Sequence, residues 1–136
     1  SELSEVFEFI KFLYEVGIDA LIVQDLAVVR MVREYFGDLP IHASTQMTVH
    51  NAEGVKAAQR LGFCRVVLSR ELSFEEIKNI HKETDAELEV FVHGALCMSY
   101  SGQCLMSSFI GWHSRADFLI LCTMQTEGAL RGKNTF

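Results

Sequence analysis

The sequence lacks features that would identify several whole classes of protein. None of its apolar runs approaches the roughly 20 residues that a membrane-spanning helix needs, and no basic-then-apolar leader opens it. Four cysteines in 136 residues are far below the density of a disulfide-stapled scaffold, so we expect free thiols or a metal site. Eighteen acidic residues against twelve Lys plus Arg exclude a basic nucleic-acid module formed by the whole chain, and leave room only for a local basic patch. We therefore predict a soluble cytoplasmic protein.

Apolar residues, in contrast, are abundant. Hydrophobic residues make up 49% of the chain, which is enough to bury a sizeable core and argues against disorder. The length allows one domain at most. Because the first residue is Ser1 rather than methionine and a helical pattern starts at once, we expect the chain to be a piece of a longer protein.

Short apolar strands alternate with amphipathic helices along most of the chain. Strands are predicted at 20–23, 41–44, 65–68 and 88–92, after a first helix that ends at Gly17 and with helices at 25–36, 51–61 and 74–82 between them. This alternation indicates right-handed βαβ units and a parallel sheet. No glycine-rich turn follows the first strand, so the dinucleotide-binding fingerprint is absent. We predict a partial TIM-type (β/α) barrel with about four parallel strands, because a complete barrel takes about 250 residues.

Polar residues follow each predicted strand, where the active sites of (β/α) barrels collect. The candidate catalytic residues are Asp25, Arg70, Glu71 and His93, and the candidate substrate-binding residues are Ser44, Gln46 and Glu89. Simpler roles are open for some of them: Asp25 can be only a helix cap, and Arg70 with Glu71 only a local salt bridge. His93 can equally be a structural histidine. Helix capping alone, however, does not explain why Gln46 and Arg70 both follow strands at the same end of the predicted sheet, and this convergence favours a functional site.

The segment after the fourth strand carries the most specific motif. Residues 89–107 read EVFVHGALCMSYSGQCLMS. This order of Glu, an aromatic residue, Gly, a small residue, an aliphatic residue and Cys, followed by Gly-x-Cys, resembles the signature of the collagenase-like peptidase family, peptidase family U32. The upstream stretches ASTQM (43–47) and LSREL (68–72) also resemble that family, so the resemblance covers about residues 15–111.

The resemblance implies a barrel-like N-terminal domain of a longer enzyme, nominally a peptidase acting on peptide or collagen. Other branches of the family resemble oxygen-independent hydroxylases of ribosomal RNA, transfer RNA or a ubiquinone precursor, in which cysteines hold a four-iron cluster. By position, Cys97 and Cys104 would be ligands of an iron–sulfur cluster in the longer parent. Peptide hydrolysis and cluster-dependent hydroxylation therefore both stay open, with peptide or RNA as the substrate.

The residue types themselves bear on this choice. The zinc-protease motif His-Glu-x-x-His and a recognisable triad spacing are both absent, although Cys97 as nucleophile with His93 as base is conceivable. Two cysteines in a loop that contains Gly94 and Gly102 suit thiolates that converge on a soft metal, the alternative being two small buried residues. Cys64 opens the third strand within an apolar run, so we predict that it packs in the core.

The resemblance stops after Gly111. The family continues there with a stretch rich in Gly, Arg and Asn and with two further cysteines, whereas only Cys122 stands near those positions here. We predict a partial barrel over 1–111 and a divergent tail, aberrant or frame-shifted, over 112–136. A partial barrel leaves strand edges and apolar surface uncovered, so we expect self-association or a missing partner segment, and no catalysis by this chain alone.

Overall fold

Helices and strands alternate along the protein, which is represented by a computed structural model that describes residues 2–93, 97 and 99–104. The elements of this part of the chain are α1 (Glu2–Val16), β1 (Leu21–Val23), α2 (Leu26–Tyr35), β2 (Ile41–Ala43), α3 (Ala52–Arg60), β3 (Arg65–Val67), α4 (Phe74–Glu83) and β4 (Glu87–Glu89). A short 3-10 helix, Thr45–Met47, follows β2. The predicted tail over 112–136, with Cys122, and the predicted loop glycine Gly94 lie outside the described residues.

The strands form one parallel sheet in the order β1-β2-β3-β4. Leu21 pairs with Ile41, and Val66 pairs with both Ala43 and Leu88, so each strand lies beside its neighbour in sequence. A doubly wound sheet reverses its strand order partway, whereas a (β/α) barrel adds each strand on the same side of the previous one. The order therefore confirms the predicted partial barrel.

The apolar core lies between the sheet and its helices. Among its members, Val32, Ile41, Val55, Val66 and Leu68 are at most 1% exposed. The helices begin where the sequence supplies caps: the Asp25 carboxylate accepts backbone N–H groups at the start of α2, and Ser73 with Glu76 forms a capping box at the start of α4. None of the helices among the described residues has the length and apolarity of a membrane-spanning segment.

The opposite face of the sheet carries a row of paired residues that alternate with the core positions. Ile22, His42, Arg65 and Glu87 stand side by side in this row. Successive side chains of a strand point to opposite faces, so this row faces the barrel interior, and Ile22 is 64% exposed there. The Arg65 guanidinium bridges two strands, with its Nε 3.0 Å from Glu87 Oε2 and its Nη1 3.7 Å from Glu89 Oε2.

Two sequence predictions are corrected here. The fourth strand ends at Glu89 rather than at 92, opposite Val67, the last residue of its partner β3; His93 therefore does not follow the strand directly. Cys64 is exposed rather than packed in the core. It precedes β3 at the amino end of the sheet, where its backbone N–H and its thiol both donate to the carbonyl oxygen of Ile41, at 3.0 and 3.4 Å.

Candidate functional site

The described part of residues 97–104 lies against the loops that follow β2 and β3, at the carboxyl end of the sheet. Thr48, in the loop after β2, donates its hydroxyl to the carbonyl oxygen of Ser101 at 2.9 Å. Arg70 and Glu71, in the loop that follows β3, reach the same segment from the other side. Active sites of (β/α) barrels form at this end. The cysteine-bearing segment is thus held where barrel chemistry takes place.

Arg70 binds the backbone of the segment. Its Nη1 donates to the carbonyl oxygen of Cys97 at 2.9 Å, and its Nη2 donates to that of Ser99 at 2.8 Å. The nearest Glu71 oxygen is 4.0 Å from Nη2, and the Arg70 side chain is only 14% exposed. Hydrogen bonds from a charged donor are stronger than neutral ones. The main partners of this guanidinium are therefore the two carbonyls, and the salt bridge that the sequence left open is the weaker contact.

Ser101 is the second anchor of the segment and is 1% exposed. Glu71 Oε1 accepts the Ser101 backbone N–H at 2.7 Å and its hydroxyl at 3.2 Å, while the Arg70 backbone N–H donates to that hydroxyl oxygen at 3.1 Å. Burial works to raise the pKa of Glu71, but the hydrogen bonds from Ser101, with a smaller contribution from the charge of Arg70, hold that pKa below its ordinary value. Glu71 thus serves the segment as a carboxylate.

Gly102 explains why the motif has a glycine between its two cysteines. Its φ is +75°, in the left-handed region that other residues rarely adopt. A Cβ at this position would lie 2.5 Å from the Thr48 hydroxyl oxygen and 2.6 Å from the carbonyl oxygen of Gln46. Any side chain here would push the segment away from the loop after β2, so the site requires glycine on two independent grounds.

Cys97 and Cys104 are half-buried free thiols. Hydrogen bonding from the Ser99 backbone lowers the pKa of Cys97; burial opposes this, and hydrogen bonding with Cys104 and the charge of Arg70 lower the pKa further. Cys104 is therefore among the groups that act on the Cys97 thiol. Thiolates are the nucleophilic and metal-ligating form of cysteine, so the surroundings of Cys97 favour either use.

Other predicted site residues have local partners. The Asp25 carboxylate accepts the N–H groups of Ala27 at 2.8 Å and Val28 at 3.1 Å, as a helix cap does, and the Ser44 hydroxyl accepts the Gln46 N–H at 3.1 Å. Both residues stand at the carboxyl ends of their strands, as the sequence indicated. Their assignments to catalysis and to substrate binding stay predictions.

Glu89, Gln46 and His93 complete the predicted set. Glu89 faces Arg65 on the inner side of the sheet, and His93 is exposed beyond the end of β4. Gln46 meets the cysteine-bearing segment through its backbone carbonyl, close to Gly102. Of the predicted residues, the structure brings Arg70, Glu71, Cys97, Cys104 and the backbone of Gln46 together. The assigned roles of this set likewise stay predictions.

Sequence reasoning missed Thr48, Ser99 and Ser101. The Ser101-Gly102 pair is a turn signal within the motif, so its special backbone could have been noticed. Thr48 has a positive φ of 55°, which is rare outside glycine and which nothing in its sequence neighbourhood indicates. Ser99 acts on Cys97 through its backbone N–H, and residue type does not disclose such a contact.

A parallel sheet in barrel order, with an anchored cysteine pair at its carboxyl end, defines a (β/α) barrel segment with a thiol site. The chain belongs to peptidase family U32, whose family model it matches over residues 1–117. The family resemblance of the motif is thereby confirmed.

Two curated relatives carry names that concern RNA. The chain is 51% identical over 102 residues to tRNA hydroxylation protein P of Escherichia coli (strain K12), covering 74% of this chain and 22% of that protein. It is 44% identical over 109 residues to a 23S rRNA 5-hydroxycytidine synthase of the same organism, covering 78% of this chain and 16% of that protein. The chain thus spans about a fifth of the length of these relatives.

A solved structure of the U32 peptidase Mk0906 resembles the protein with a TM-score of 0.60. The sequence identity is 23%, and the match covers 71% of this chain and 39% of that one. At this identity the likeness concerns the fold alone, and it agrees with the barrel order of the strands.

Proposed function

We propose that the chain is part of an RNA-hydroxylating enzyme, in which Cys97 and Cys104 are two ligands of an iron–sulfur cluster. The observation that carries this proposal is the cysteine pair held at the carboxyl end of the sheet. The names of the two relatives, which concern hydroxylation of tRNA and of rRNA, support the reaction class. An RNA substrate also agrees with the predicted cytoplasmic location.

The chemistry of the cysteine pair fits such a cluster. Cluster ligands are thiolates, and the lowered pKa of Cys97 favours that form. A cluster takes about four ligands, and the described residues contain no group of three or more His, Cys, Asp or Glu that could hold a metal. This segment would therefore supply two ligands, and the remainder would come from other parts of the enzyme. Hydroxylation of a base is a two-electron oxidation that also requires an oxygen donor and an electron acceptor as co-substrates, and a cluster held by Cys97 and Cys104 would supply a redox centre for it.

Peptide hydrolysis, the nominal activity of the family, is less well supported. A cysteine peptidase needs a general base beside its nucleophile. Within the described part of the chain, the groups that act on the Cys97 thiol are Ser99, Cys104 and Arg70, with no imidazole among them. The names of the family and of the structural relative favour a peptidase, whereas the surroundings of the thiol favour a ligand.

The remaining rim residues keep their proposed roles in the hydroxylase. His93 and Asp25 are candidates for proton transfer, and Ser44, Gln46 and Glu89 for contacts with the nucleobase. The net charge of −6 means that phosphate binding depends on local positive charge or on other parts of the enzyme. Arg70 is engaged with backbone carbonyls, so we do not assign phosphate binding to it.

The test is complementation. The coding sequence that contains this chain, with its flanking coding regions, is expressed in Escherichia coli that lacks either of the two relatives, and tRNA and rRNA nucleosides are analysed by mass spectrometry. We expect hydroxylation to be restored by the wild-type protein, abolished by Cys97→Ser and retained by Cys64→Ser, an exposed thiol away from the site. Unmodified RNA in cells that contain folded wild-type protein would contradict the proposal, as would anaerobically purified protein without iron.

A further inference from the structure

We propose that Arg70 and Glu71 are positioning residues, which hold the segment 97–104 so that its two cysteines converge, and that they do not act on the substrate. We call this pair the Arg70–Glu71 clamp. The inference rests on the proposed function in that it takes the cysteine pair as the reactive element of the site. It replaces the catalytic role that the sequence suggested for these two residues.

The contacts of the clamp divide between the two ends of the segment. Arg70 holds the carbonyls of Cys97 and Ser99, next to the first cysteine. Glu71 holds the backbone N–H and the hydroxyl of Ser101, close to the second one. One side chain thus acts near each thiol, and both come from adjacent residues that follow β3. A shift of either end would move one sulfur atom relative to the other.

The distances decide between a clamp and a simple ion pair. Arg70 lies 2.8 and 2.9 Å from its carbonyl partners but 4.0 Å from the Glu71 carboxylate. The short contacts join separate parts of the chain, whereas an ion pair between neighbouring residues would order nothing beyond itself. The guanidinium fork suits this task, because its planar geometry presents donors to two acceptors at once.

Holding a loop in one conformation has a defined energetic effect. Each backbone residue that is fixed loses conformational entropy, and this loss has to be offset before two ligands can meet. The hydrogen bonds of the clamp offset part of this entropy loss in the folded protein, whether or not any group is bound. Supporting contacts orient metal ligands in the same way. Because its donors and acceptor are used on backbone groups, the clamp has less capacity to bind a substrate.

The test measures the proximity of the thiols without measuring activity. The reduced 136-residue chain, in a Cys64→Ser, Cys122→Ser background, is treated with dibromobimane, which joins two neighbouring thiols into a fluorescent product. Monobromobimane labels single thiols and reports their intrinsic reactivity. The ratio of the two rates therefore isolates the convergence of Cys97 and Cys104 from changes in thiol reactivity.

Variants of the clamp are compared with a matched arginine. Arg70→Lys keeps the positive charge but loses the fork, and we expect it to lower the rate ratio by at least about tenfold, the effect of losing one hydrogen bond from a charged donor. Glu71→Ala should lower the ratio as well. Arg65→Lys, at the start of β3 and paired with carboxylates, should leave the ratio unchanged. Circular dichroism verifies that each variant is folded.

The outcomes separate this inference from the proposed function. An unchanged ratio in folded Arg70→Lys and Glu71→Ala would overturn the clamp, even if the wild-type enzyme holds iron and hydroxylates RNA. A reduced ratio in both variants, together with wild-type enzyme that holds no iron and modifies no RNA, would support the clamp and contradict the proposed function.

Discussion

Two arginines five residues apart in the sequence are used in different ways. Arg65, at the start of β3, pairs with the carboxylates of Glu87 and Glu89 on the inner face of the sheet. Arg70, just beyond the same strand, binds the backbone carbonyls of Cys97 and Ser99. The first connects strands that the backbone ladder already joins, whereas the second fixes a segment outside the sheet.

The hydrogen bonds of the two arginines differ in how far they are buried. The Glu87 side chain is 53% exposed, and partly exposed ion pairs contribute little to stability. The acceptors of Arg70 lie in a segment whose anchor, Ser101, is almost completely buried. We therefore expect changes around Arg65 to affect the sheet weakly and changes around Arg70 to affect the cysteine site strongly.

The largest expected effect comes from Gly102→Ala, with Gly17→Ala as its control. Both glycines have a positive φ, +75° and +82°, but a Cβ on Gly17 would meet nothing within 4 Å. We expect Gly102→Ala to destabilise the anchored segment by about 2 to 4 kcal/mol, from backbone strain and steric overlap, and Gly17→Ala to cost about 1 to 2 kcal/mol from strain alone.

Hydrogen exchange of the Ser101 amide measures the effect on the segment directly, because exchange follows local opening. Global unfolding in urea gives the effect of Gly17→Ala at the end of α1. Equal destabilisation by the two variants would show that the close approach of Gly102 to Gln46 and Thr48 is unimportant, and the contrast between site and scaffold would lose its main support.

The sequence anticipated the features that depend on local chemistry. Apolar alternation predicted the strands and helices, and Ser73 with Glu76 predicted a capping box that the structure contains. The motif with Cys97 and Cys104 was found because residue type and spacing specify it. Each of these signals lies within a short window of the chain, where side-chain character and backbone conformation are directly coupled.

The sequence did not anticipate features that depend on distant partners. The end of β4 coincides with the end of its pairing with β3, and Cys64 is exposed at the amino end of the sheet. The choice of Arg70 between a neighbouring carboxylate and two carbonyls far along the chain has no signature, because every residue has a carbonyl. Thr48 was missed for the same reason: its partner is the backbone of Ser101.

An intermediate effect is expected when the two arginines are each changed to methionine. Arg70→Met removes hydrogen bonds from a charged donor, worth about 1.5 to 3 kcal/mol, and should speed exchange of the Ser101 amide by roughly 10- to 100-fold. Arg65→Met should lower the free energy of unfolding by less than about 1 kcal/mol and leave that amide unchanged. If Arg65→Met accelerated exchange of the Ser101 amide as much as Arg70→Met does, the contacts of Arg65 and those of Arg70 would form a single coupled network, which would contradict the comparison.

The smallest expected effect is the dependence of stability on pH. It distinguishes Glu71, which binds Ser101, from Glu76, which caps the start of α4 away from the site. The pKa of each is held below the ordinary value of 4.5: in Glu71 burial is outweighed by hydrogen bonds from Ser101, and in Glu76 hydrogen bonds from the Ser73 side chain and backbone dominate. A carboxyl group with a lowered pKa in the folded state adds stability above its unfolded value, and this is lost as pH falls through the folded value.

Acidification below about pH 4.5 should therefore release the segment at Ser101 and weaken the cap of α4 independently. In Glu71→Gln, the amide oxygen can still accept a hydrogen bond, but the side chain does not titrate in this range. The variant also loses the electrostatic attraction between the Arg70 guanidinium and the Glu71 carboxylate, which are 4.0 Å apart. Exchange at Ser101 in this variant should lose its acid dependence, once the intrinsic pH dependence of exchange is removed with an unfolded peptide standard. Glu76→Gln should leave the acid dependence at Ser101 intact. If exchange at Ser101 still accelerated at low pH in Glu71→Gln, the acid-induced opening of the segment would be due to groups other than the Arg70–Glu71 clamp.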